Sequence, residues 1–173
     1  MTVFPSIHKG LERFNIALGK GISWFVAIMT AIVVGIVLTR TLFNTGSVAV
    51  QEVINYLHAA LFLLLVTYTA QQDGHVRVDV FYRGFSKQTK SWVNACGAVL
   101  FLIPFSVFLI GISWKFAADA WSIMEGSSNP GGLPAVFLLK TLIPCAGVLL
   151  GTFGVTQALS ELTNLTYNND ADE

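Results

Sequence analysis

Four stretches without a single Lys, Arg, Asp or Glu, at residues 21–39, 53–72, 91–114 and 141–160, take up about half of this 173-residue chain. Each is close to the roughly 20 residues that a helix needs to cross about 30 Å of hydrocarbon. What remains is too short for a second, water-soluble domain. Charged residues make up only 12% of the sequence, against about 25% in ordinary soluble domains, and the mean hydropathy is +0.65. The expected fold is an all-α membrane protein: one domain, residues 1–173, with four transmembrane helices near 21–39, 53–72, 91–114 and 133–160.

The formal net charge of zero hides an uneven layout. Lys9, Arg13 and Lys20 precede the first span, and Arg77, Arg83, Lys87 and Lys90 lie between the second and third. Arg40, Lys115 and Lys140 fall on the other side. Positive charge marks the cytoplasmic face, so both termini and the central loop are expected inside. The first apolar run is too long for a cleavable leader and ends at Thr39-Arg40 without a small-residue cleavage site, so it reads as a retained span. Cys96 and Cys145 both lie within spans, where cysteine acts as a small apolar filler.

Outside the spans, Ile7, Leu11, Phe14 and Leu18 recur at helical spacing, with His8, Lys9, Glu12, Arg13 and Lys20 around the rest of the wheel. Residues 6–20 therefore form an amphipathic helix lying in the interface, or else a plain extension of the first span. Asn44-Thr45-Gly46-Ser47 marks the turn that makes spans one and two an antiparallel hairpin. Val76, Val78 and Val80 alternate with His75, Arg77 and Asp79, a period of two that suits a short extended piece. Helix three is expected to run past Trp114 and protrude, with a bend at Pro104. The cluster 126–132 breaks it, and Pro134 suits the first turn of the next helix, which puts Lys140 almost two turns in, where it must snorkel or find a partner. Gly147, Gly151 and Gly154 in span four, and Ala27, Ala31 and Gly35 in span one, are small-residue faces fit for close helix contact. Residues 163–173 are expected to be an acidic, disordered tail.

Ion-coupled carriers need ionisable groups at mid-membrane depth, and this chain has no mid-span carboxylate. Glu52 lies at the outer edge of span two, and His58 is only about two turns further in. A haem anchor needs two intramembrane histidines per haem; here His58 is the only one inside a span, and it is expected to hydrogen-bond between helices. No nucleophile elbow, phosphate loop or Cys/His metal cluster appears in the sequence. The expectation is a non-enzymatic chain without cofactor or metal, one part of a larger machine.

The runs Arg40-Thr41-Leu42-Phe43-Asn44, Gln51-Glu52 and Gly74-His75-Val76-Arg77-Val78-Asp79-Val80, with Gly131-Gly132-Leu133-Pro134, Lys140 and Ile143-Pro144 further on, carry a resemblance. The chain resembles the small, DctQ-like membrane subunit of TRAP (tripartite ATP-independent periplasmic) transporters over residues 10–162. Gln71-Gln72 departs from it, since many members carry a basic residue there. The resemblance implies a scaffold subunit in the bacterial inner membrane. It would steady a large elevator-type membrane subunit during sodium-driven uptake of an organic acid delivered by a periplasmic binding protein. Expected partners are that large subunit, the binding protein and membrane lipids, with no nucleic acid. The expected subunit interface comprises Arg40, Glu52, His75, Arg77, Asp79, Gly131, Gly132, Pro134 and Lys140, with Arg40 and Glu52 closing the first hairpin. Trp114, Trp121 and Glu125 are the expected contacts to the periplasmic partner. The alternative function is a membrane anchor for a respiratory or other redox enzyme.

Overall fold

The computed structural model describes the backbone of residues 3–72 and 82–171, and the side chains of 10, 11, 13–72 and 82–165. Helix α1 spans Val3–Phe43 and α2 spans Val48–Gln71. After the connection that follows α2, α3 (Lys87–Gly97) passes through a π turn (Ala98–Leu102) into α4 (Ile103–Ser122). Helix α5, Val136–Ala171, completes the chain. Four apolar segments, Arg13–Phe43, Val48–Gln71, Lys87–Ser122 and Val136–Leu165, are long enough to cross a membrane. Helices are the only open-ended way to do this, because each satisfies its backbone donors and acceptors internally.

The helices form a row rather than a closed bundle. Helix α5 packs against α2 on one side and against α3, the π turn and α4 on the other, while α1 packs on α2. Helix α5 is accordingly the most covered of the spans and α1 the least.

Residues 6–20 and 21–39 belong to one continuous helix, so the extension, not a separate interfacial helix, is what forms. Nothing between them breaks the backbone, and Gly10, Gly19 and Gly21 are all accommodated in it. The face turned to α2 is a different one from the apolar stripe at Leu11, Phe14 and Leu18. Phe14 is exposed, while Asn15, Gly19 and Ile22 are buried. Gly19 lies flat on the Tyr68 ring: a Cβ there would come within 2.3 Å of it. One side-chain atom fewer therefore sets how closely α1 approaches α2.

The glycines of α5 behave as their spacing suggests. A Cβ on Gly147 would sit 2.7 Å from Ile110 Cγ1 and 3.3 Å from the Ser106 carbonyl. Gly151 abuts Ser106, and Gly154 abuts Leu102 and Ile103. The stripe is thus spent on α4. The matching stripe on α1 meets no neighbour among the described residues: Ala27 and Ala31 are exposed, and nothing lies within 4 Å of a Cβ built on Gly35.

Just before Pro104, where a bend is expected, the helix passes through the π turn. Ile103 N–H bonds to Ala98 O, five residues back, so the widened turn precedes the position where proline withdraws a donor. Helix α4 runs on past Trp114 to Ser122, as expected. At the other end, residues 163–171 are not a disordered tail: α5 continues helical through Ala171, with no Gly or Pro after Gly154 to stop it. Helix α5 also starts at Val136 rather than at Leu133, because residues 133–135 are used in the turn described next.

Candidate functional site

The polar chemistry gathers at the two ends of the row. At the end shared by the α1–α2 and α4–α5 connections, the sequence places a carboxylate one turn into an apolar helix, and such a group must find donors. Glu52 finds three. Its Oε1 accepts from the Ser127 hydroxyl and from Asn129 Nδ2 at 2.9 Å, and its Oε2 accepts from the Leu133 backbone N–H at 2.7 Å. The residue is only 9% exposed.

The loop is shaped to deliver those donors. Gly132 N–H donates to Asn129 O at 2.9 Å across Pro130-Gly131, and Gly131 has φ +76°. This is a type II turn, with proline at its second position and glycine where positive φ is required. Ser127 N–H donates to Leu133 O at 2.8 Å and closes the loop at its base. Gly132 has a second reason to be glycine. A Cβ there would lie 2.5 Å from Ser127 Oγ and 2.8 Å from Glu52 Oε1, inside the hydrogen-bonded cluster. Pro134 stands two residues before α5, not in its first turn.

Beside this lock, α4 and α5 are braced by four further contacts. Lys140 forms an ion pair with Glu125, and its ammonium lies 4.0 Å from the centre of the Phe116 ring. Trp121 Nε1–H donates to the Thr141 hydroxyl at 2.8 Å, and the Trp121 and Phe137 rings meet edge-on at 4.6 Å. Lys140 therefore finds a partner instead of snorkelling freely. Trp121 and Glu125 are engaged inside the chain, while Trp114 faces outward, 67% exposed.

The expected closure between Arg40 and Glu52 is not made. Glu52 points to the α4–α5 loop, and Arg40 is exposed in the last turn of α1 with no ion pair among the described residues. Helix α1 instead ends on a backbone bond: Asn44, at φ 52°, donates its N–H to Arg40 O at 3.1 Å. His58 does not bridge helices either; it is exposed, and its ring lies 5.5 Å from Phe62 on the same helix. His75, Arg77 and Asp79 lie outside the described residues. Among the described residues no three His, Cys, Asp or Glu side chains cluster to hold a metal.

The opposite end carries a lock that sequence reasoning missed. Asn94 Nδ2 donates to Glu161 Oε1 at 2.8 Å, and the Tyr82 hydroxyl donates to Asn94 Oδ1 at 3.1 Å. The Lys90 ammonium lies 5.4 Å from the Tyr82 ring centre. The chain entering α3 is thus seated on α3 through Tyr82, and α3 on α5 through Asn94. A lone Asn in an otherwise apolar segment was the available signal, but its partner is 67 residues away.

Comparison with known families matches residues 29–164 to the one described as Tripartite ATP-independent periplasmic transporters, DctQ component. No curated protein and no solved structure matched the chain. With most of its length matched and, among the described residues, four helices long and apolar enough to cross a membrane, the chain belongs to the DctQ family, the small membrane component of a tripartite transporter.

Proposed function

We propose that this subunit is a non-catalytic scaffold that steadies the large elevator-type membrane subunit of its transporter. The work it supports is sodium-driven uptake of an organic acid, delivered by a periplasmic binding protein. The setting is the bacterial inner membrane, with both termini and the inner loop cytoplasmic, as the distribution of basic residues favours. The observation that carries this reading is the pair of polar locks at the two ends of the row. Glu52 ties α2 to the α4–α5 loop, and Asn94 ties α3 to α5. A row of helices pinned at both of its ends suits a frame against which another body moves, since a moving element needs seams with two stable arrangements.

The assembly surface includes Arg40, His75, Arg77, Asp79 and Lys140, with Glu52, Gly131, Gly132 and Pro134 shaping the outer rim. Arg77→Ala and Asp79→Ala should each lower recovery of the large subunit in a pull-down from mild detergent. The function itself is tested in proteoliposomes holding the large subunit and binding protein, with and without this chain. Sodium-driven uptake should require it. Uptake of equal rate in its absence, or uptake by this chain alone, would refute the scaffold role.

A further inference from the structure

The hydrogen-bond ladder of the α3–α4 span runs short of donors at its middle. Ile103 N–H donates to Ala98 O, five residues back, and the next residue, Pro104, has no N–H to give. From Ser106 onward each N–H again serves the carbonyl four residues back, as in any α-helix. The carbonyls of Val99, Leu100 and Phe101 therefore share one remaining backbone donor, the N–H of Phe105. Among the described residues no side chain makes up the difference. The Ser106 hydroxyl donates to Ile103 O. On α5, the hydroxyls to either side of Gly154 are spent on their own helix, Thr152 on Leu149 O and Thr156 on Phe153 O.

Depth makes this shortage costly. Trp92 and Trp114 are exposed at the two ends of the span, 53% and 67%, and exposed tryptophan marks the two membrane interfaces. Leu100 lies eight residues from the first and fourteen from the second, about 12 Å and about 21 Å along a helix, well inside the hydrocarbon. Acyl chains carry no N–H or O–H, so lipid cannot meet a carbonyl there. The turn also faces away from the row: Leu100 and Phe101 are 64% and 74% exposed. Helix α5 is occupied by the residues just after it, with Gly154 against Leu102 and Ile103 and Gly151 against Ser106.

We infer that this turn is a mid-membrane acceptor site for a hydrogen-bond donor on a helix of the large membrane subunit. The donor is a neutral side chain of the Ser, Thr, Asn, Gln, Tyr or Trp kind. The inference rests on the scaffold reading and adds where, and by what chemistry, the frame is gripped. Apolar faces are interchangeable in lipid and slide past one another, whereas a donor meeting a fixed backbone acceptor sets both depth and rotation. Proline is what keeps the acceptors available, because any other residue at 104 would supply an N–H from within.

The test compares the whole transporter with the small subunit alone, both in mild detergent. Pro104→Ala is the main variant, because its two effects have opposite signs. It supplies the missing N–H and removes a helix breaker, and should raise the thermal midpoint of the small subunit alone by about 2–4 °C. It also removes the demand for an outside donor, and should weaken binding of the large subunit roughly three- to tenfold. Phe101→Ala trims a well-exposed side chain but leaves the carbonyls as they are, and should weaken binding less. A photoreactive phenylalanine analogue in place of Leu100 should crosslink to a helix of the large subunit, beside a donor side chain. Unchanged binding by Pro104→Ala, or loss of the midpoint together with binding, would overturn the inference while leaving the scaffold role standing. Capture at 100 of lipid alone or of a second copy of this chain would do the same. A wild-type chain that retains no large membrane partner would overturn both.

Discussion

Gly147→Ala is the sharpest probe of how the row is held together. In a helix, alanine is favoured over glycine by roughly 0.5–1 kcal/mol, because the unfolded chain loses less freedom. That gain should appear at Gly111, where an added Cβ meets nothing within 4 Å. At Gly147 the same methyl would lie 2.7 Å from Ile110 Cγ1 and 3.3 Å from both Ile110 N and Ser106 O. Two of these three atoms are helix backbone and cannot rotate away, so α4 and α5 must separate. Overpacking of this kind costs typically 1–3 kcal/mol, which outweighs the helix-propensity gain at most of that range. The two alanine variants should therefore differ by about 1–3 kcal/mol, or several degrees in thermal midpoint at roughly 2–4 °C per kcal/mol. The assay is the fraction of detergent-solubilised complex that stays monodisperse on size exclusion after heating. A Gly147→Ala protein as stable as Gly111→Ala would refute the close α4–α5 seam.

At the Glu52 lock, Gly132→Ala drives a methyl into the cluster and should lower the midpoint by several degrees in the same assay. Glu52→Gln should do less harm than Glu52→Ala, because its amide oxygen still serves Ser127 and Asn129 while its NH2 opposes the Leu133 N–H. At the Asn94–Glu161 lock, Asn94→Leu should make the segment around Tyr82 more accessible to protease in vesicles that present it, whereas Glu161→Gln, whose amide oxygen still accepts from Asn94, should retain protection in part. Gly35→Ala should be neutral or slightly stabilising in the isolated chain. Loss of large-subunit recovery with that variant would identify the unused α1 stripe as part of the assembly surface.

The locks illustrate how far single residues could be read. Glu52 stood out in the sequence as a carboxylate near a membrane edge, and Gly131, Gly132 and Pro134 stood out as loop-formers. That the glycines exist to admit the carboxylate was not legible, because Glu52 and its donors are separated by 75 to 81 residues. Arg40 was the nearer candidate for Glu52, one loop away. Helix α2 is turned so that Glu52 faces the α4–α5 loop instead. Lys140 fared better: a lysine deep in an apolar helix has few options, and Glu125 is only 15 residues back across a tight loop.

What the amino-acid order determined alone was the number of spans and their helical form. In hydrocarbon, a charge-free segment of this length has only its own backbone to bond with. The family relationship follows from the same order, through motifs that local chain geometry carries. Which helices touch was decided only in three dimensions. Two small-residue stripes of similar spacing lie on α1 and α5, yet only the one on α5 is closed by a neighbour. Apolar faces are interchangeable in lipid, so the choice among them falls to shape and to a few buried polar groups that must be satisfied.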